Sequence, residues 1–163
     1  MIRFLALILC CAALTACGLK PLYSGGSTGA VASTLDTVSV DPIEGKSGWL
    51  MRNALQDRLN SGAGESVRYR LVVKLDDSIE GLGVRSDDTV TRERRTLRAR
   101  YQLIDTQSGK TVVDATAGSD AGIDVVSSEY ATIAGENAAL ENLSQKLADM
   151  IVARLSLYAR QQQ

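Results

Sequence analysis

Apolar and polar positions alternate along this chain of 163 residues with two different periods, after an opening apolar run from Phe4 to Leu14. Leu35 to Val40 alternates weakly and predicts a short strand, closed by Asp41-Pro42. Met51, Leu55 and Leu59 recur at helical steps and predict a helix over Trp49 to Leu59, with Ser47 as N-cap and Gly62 as stop. From Val67 to Leu75 the odd positions are apolar and most even positions are charged, the period of a half-buried strand. Val90 to Ile104 predicts a second long strand with Leu97, Ala99, Tyr101 and Leu103 facing in. Gln107-Ser108-Gly109-Lys110 predicts a hairpin turn into a strand over Thr111 to Ala117, whose Val113, Ala115 and Ala117 face the same way. Leu140, Leu143, Leu147, Ile151, Leu155 and Tyr158 recur at three- and four-residue steps, the stripe of a long core-facing helix. Arg154 and Arg160 in its last turns suit the helix dipole.

Strand, helix, three strands, helix is an α+β order. A two-layer sandwich buries each apolar face with least exposure: about four strands in a mixed or antiparallel sheet, with two helices packed on one face. The domain is expected over residues 35–160, with 161–163 a polar tail. Length and composition, 45% hydrophobic and 23% charged, fit one such domain. Aromatics make up only 4%, so the core is expected to be Leu, Val, Ile and Ala, helped by Trp49 and a few tyrosines.

Charge and side-chain chemistry narrow the function classes. A net charge of −1 argues against a nucleic-acid binder, which is usually basic overall. No histidine occurs, which removes Ser-His-Asp and Cys-His machinery, imidazole-ligated zinc and the usual general base. The three cysteines, Cys10, Cys11 and Cys17, all lie at the N-terminus, so the body of the chain has neither a disulfide framework nor a thiol metal site. No catalytic residue, metal or cofactor is expected.

Met1-Ile2-Arg3, the apolar run and the small pair Thr15-Ala16 have the parts of a secretory signal peptide, over residues 1–16. The apolar run is too short to span a membrane as a helix. Leu14-Thr15-Ala16-Cys17 resembles the lipobox of bacterial lipoproteins. That resemblance implies S-diacylglycerol and an N-acyl chain on Cys17, and attachment to a membrane through this lipid anchor. Each buried methylene contributes about 0.8 kcal/mol, so two or three chains hold firmly. Gly18 stands where an inner-membrane retention signal would place Asp, which by resemblance points to the outer membrane. Residues 17–34, with Ser24-Gly25-Gly26-Ser27-Thr28-Gly29, are expected to form the lipidated end and a flexible tether.

One surface patch could carry function. Arg92, Arg94, Arg98 and Arg100 share one parity, and Arg68, Arg70 and Lys74 lie on the polar side of the preceding strand. If the strands pair, a basic field with few immediate acids forms on the open face of the sheet, suited to phosphate or carboxylate. The alternative is a solvated face in which Asp76, Glu93 and Asp114 pair across strands, each contributing little. Asp76-Asp77 and Asp87-Asp88 read as solvated strand-end turns. Gly81-Leu82-Gly83 reads as a loop and not a phosphate cradle, since no helix opens after it.

Cys17-Gly18-Leu19-Lys20-Pro21-Leu22-Tyr23, behind a lipobox and ahead of this element order, resembles the start of the lipopolysaccharide-assembly lipoprotein family, LptE. Many members begin Cys-Gly, an aromatic, a variable residue, then Pro-Leu-Tyr; here Leu19 replaces the aromatic. The stretch from Leu97 to Lys110 and Ser128-Glu129-Tyr130-Ala131 before the last helix are similar to the family's divergent branch. The resemblance implies a non-enzymatic protein on the periplasmic face of the outer membrane, plugging the β-barrel LptD and assisting its assembly. It also implies delivery of lipopolysaccharide to the surface and contact with that anion through basic residues. A generic lipid-anchored accessory or scaffold of another envelope machine is the alternative, and a hydrolase using carboxylates or a Ser-Lys pair is the third.

Overall fold

Seven elements follow one another in the computed structural model, which describes residues 29–59, 67–84 and 90–162. They are helix α1 (Ala30–Asp36), strand β1 (Val38–Val40), helix α2 (Gly45–Leu59), strands β2 (Tyr69–Val84), β3 (Val90–Asp105) and β4 (Thr111–Asp124), and helix α3 (Glu129–Gln161). The signal segment, Cys17, the tether up to residue 28, Gly62 and Asp87-Asp88 lie outside the described residues. The sheet order is β1-β2-β3-β4, with β1 parallel to β2 and the other pairs antiparallel. This open, mixed, four-stranded sheet with helices is the expected α+β class.

The core lies between the helices and one face of the sheet. Tyr69, Leu71, Val73, Leu97, Ala99, Tyr101, Leu103, Val113 and Ala117 are buried, as their parity requires. They join Met51, Leu55 and Leu59 of α2 and the α3 stripe in one cluster. Tyr158 is only partly buried and meets the Tyr69 ring edge-on at 6.1 Å. Two serines interrupt the apolar surface of α3. Ser144 and Ser156 are buried and donate back to the carbonyls of Leu140 and Val152, both at 2.8 Å, so neither hydroxyl is left unpaired. Ser128 caps α3 by accepting from the Ala131 N–H.

The structure departs from the sequence expectations at several places. Leu35 belongs to α1, not to a strand, because Val31 and Leu35 stand one helical turn apart and both bury against α3. This helix also occupies the end of the stretch expected to be tether. Thr37 then closes α1 by donating its hydroxyl to Thr34 O at 2.7 Å, and β1 is reduced to three residues. Helix α2 starts at Gly45, whose φ of +78° turns the chain into it, so Ser47 lies inside the helix and is not its cap. Trp49 is 63% exposed and contributes little to the core, because Gly48 and Met51 occupy the inward positions on either side of it. Strands β2 and β4 run on past Leu75 and Ala117. Asp76-Asp77 and Gly81-Leu82 are therefore ladder residues paired with β3, and Gly83 continues the same strand, so neither stretch is a turn or loop.

Candidate anion-binding face of the sheet

The two-residue period of each strand turns every second side chain away from the helices. On β2 these include Arg70, Lys74, Asp76 and Glu80, and on β3 Arg92, Arg94, Arg98 and Arg100. The register sets Lys74 opposite Arg100, Asp76 opposite Arg98 and Glu80 opposite Arg94. Six of the seven expected cations thus share the face. Arg68 precedes β2, with its guanidinium 5.2 Å from the centre of the Tyr69 ring and its Nε 4.0 Å from Asp105.

Of the acids named in the solvated-face alternative, Asp76 and Asp114 do stand on this face and Asp114 pairs across strands, but more acids join them than expected. Strand β4 turns Asp114, Asp120 and Asp124 onto the same face, and the field is a ladder of alternating sign. Arg70 pairs with Asp41 at 2.8 Å, Arg92 with Asp124 at 3.2 Å and Arg94 with Glu80 at 3.1 Å. Arg100 reaches Asp114 at 3.1 Å, and Gln102 donates to the same carboxylate at 2.8 Å. Hydrogen bonds from Arg100 and then Gln102 hold the Asp114 carboxyl below the usual carboxylate range, and the Arg100 guanidinium is raised in turn by that same hydrogen bond. Glu93 does not neutralise this face. Its odd position turns it toward the helices, where one carboxylate oxygen is buried without a partner.

Among the described residues, Lys74 and Arg98 are the cations of this face that no acid reaches within ion-pair distance. Arg98 lies across β4 over Gly118. A Cβ there would stand 3.4 Å from Arg98 Cγ and 3.5 Å from its Nη1. Lys74, Asp76, Arg98, Arg100, Thr116 and Gly118 line a shallow depression of about 420 Å³.

Sequence reasoning missed Arg95. It sits on the helix side of β3, grips Asp77 through two bonds of 2.8 and 2.7 Å, and donates to Glu136 O at 2.9 Å. The signal was legible as parity: Arg95 and Asp77 both stand at inward positions of neighbouring strands. No group of three or more His, Cys, Asp or Glu among the described residues could hold a metal ion. No helix among them is long and apolar enough to cross a membrane.

An open α+β sheet with helices on one side and a charge-laddered free face on the other defines a small two-layer module. Residues 35–155 match the family model described as LptE, lipopolysaccharide-assembly, and the chain belongs to that family. The uncharacterized protein RP188 of Rickettsia prowazekii (strain Madrid E) is 27% identical over 156 residues, covering 96% of this chain and 97% of that protein. A crystal structure of a Caulobacter crescentus CB15 protein superposes with a TM-score of 0.70 at 22% identity, over 83% of this chain and 98% of that one. The minor lipoprotein from Acinetobacter baumannii gives 0.59 at 16%, over 74% and 90%. The rare lipoprotein B from Shewanella oneidensis gives 0.57 at 14%, over 76% and 95%. At these identities the structures speak for the fold alone.

Proposed function

We propose that this protein is a lipid-anchored, non-catalytic subunit of the outer-membrane machinery that assembles lipopolysaccharide. Cys17 carries its acyl chains, the domain plugs the β-barrel LptD on the periplasmic side, and the free sheet face contacts lipopolysaccharide. The observation that carries this reading is the family match across residues 35–155. The lipobox at Leu14 to Cys17 supports the anchor, and the lipoprotein names of the Acinetobacter and Shewanella proteins agree with it. A face of paired charges around a few free cations suits both roles, because paired rows can dock against a polar barrel wall while free cations hold an anion.

Depletion in the native host tests it. Surface lipopolysaccharide is expected to fall while a complementing copy restores it, and a Cys17→Ser copy restores it less because the anchor is lost. Unchanged surface lipopolysaccharide after depletion would contradict the proposal.

A further inference from the structure

The free face distributes its charge unevenly, and this narrows what it can hold. At Arg70, Arg92, Arg94 and Arg100 an incoming anion must compete with a carboxylate already in contact. At Lys74 and Arg98 it meets no such competitor among the described residues. The depression between them is open because Gly118 has no side chain and Thr116 a small one. Its volume of about 420 Å³ falls within the range of about 300–1,000 Å³ usual for small-ligand sites. Asp76 stands opposite Arg98 in the same depression without pairing to it.

We propose that Lys74 and Arg98 seat one phosphate or carboxylate of an anionic sugar, with Asp76 accepting hydrogen bonds from that sugar's hydroxyls. The proposal rests on the lipopolysaccharide reading and takes the sugar to be part of the lipopolysaccharide headgroup. The forked guanidinium and the ammonium supply charge-assisted bonds to the anion from two sides. A carboxylate beside them repels negative charge but accepts from a hydroxyl, so bare inorganic phosphate gains less than a sugar phosphate that also offers hydroxyls. Thr116 adds a hydroxyl at the rim. Arg100 also lines the niche, but its pairing with Asp114 leaves it less to offer an incoming anion.

Titration of lipopolysaccharide into the full chain in detergent at low ionic strength tests this, with N-acetylglucosamine 1-phosphate and inorganic phosphate as soluble competitors. Lys74 and Arg98 are exposed, so the double variant Lys74→Gln/Arg98→Gln is expected to fold, which its unfolding midpoint checks. It is expected to bind lipopolysaccharide at least about tenfold more weakly, the loss of charge-assisted hydrogen bonds. Arg92→Gln/Arg94→Gln is expected to lose no more than about twofold, since exposed pairs are weak. The sugar phosphate is expected to compete better than phosphate against the wild type, and Asp76→Asn to erase that preference. A Lys74/Arg98 variant that binds as wild type while the Arg92/Arg94 variant loses binding overturns the niche and leaves the lipopolysaccharide reading standing. Phosphate that competes as well as the sugar phosphate overturns the sugar assignment. A wild-type chain that binds no lipopolysaccharide at low salt overturns this inference together with the reading beneath it.

Discussion

Arg95 and Arg98 stand three positions apart on one strand and meet opposite fates. Arg98 is exposed and has no acidic partner among the described residues, whereas Arg95 is 11% exposed and locked to Asp77, itself 20% exposed. The hydrogen bond with Asp77 raises Arg95 above its ordinary range despite the cost of desolvation. Removing one partner of such a pair strands the other charge. Arg95→Ala is therefore expected to lower unfolding free energy by about 2–4 kcal/mol in urea titration, with Arg95→Met/Asp77→Leu recovering most of it. Asp105 gives a pH signature. Its carboxylate accepts from the Ser108 N–H at 2.8 Å, the Ser108 hydroxyl at 3.1 Å and the Gln107 N–H at 2.9 Å, closing the β3–β4 hairpin. The Ser108 N–H, first among these, holds it below its ordinary value of 3.8. A lowered folded value gives stability that is present above 3.8 and lost as pH falls through the lower folded value. Asp105→Asn is expected to shrink the fall in thermal midpoint on acidification below pH 4; an unaltered acid limb would contradict this role.

Each element formed where one stripe or parity could be buried, and that part was legible. Parity read from Val67 to Leu75 and from Leu97 to Leu103 found the buried face of the sheet, and the leucine steps found α3. The ends of β2 and β4 were not legible, because Asp, Gly and Ala hold no strand preference of their own there. Those residues are strand because β3 supplies the ladder and cross-strand partners such as Asp77–Arg95, Glu80–Arg94 and Asp124–Arg92. Helix α1 was hidden because seven residues with β-branched Val31 and Thr34 are helical only when packed on α3. The cations of the sheet face were legible from parity, and so was Asp114, but Asp120 and Asp124 were not, since they lie beyond the expected end of β4. Helix α2 depends on a close approach that sequence could not reveal. A Cβ on Gly48 would stand 2.5 Å from the carbonyl oxygen of Ile43, a backbone atom that cannot turn aside. Gly48→Ala, which gains about 1 kcal/mol at an exposed helix position, is here expected to lose about 1–3 kcal/mol, read as a lower unfolding midpoint.

At the scale of the molecule, the helices seal one side of the sheet and leave the other open. The free face carries six cations on β2 and β3 against acids on β2 and β4, and this balance distinguishes it from a uniformly basic surface. It can dock against a polar wall along its paired rows and still present Lys74 and Arg98. Membership of the lipopolysaccharide-assembly family makes an outer-membrane barrel the partner expected here. Purifying the full chain from native membranes through a C-terminal affinity tag, and identifying what accompanies it, tests that claim most directly. The account predicts one large outer-membrane β-barrel, LptD, recovered in amounts comparable to the tagged chain. Recovery of another envelope machine, or of no barrel at all, would contradict it.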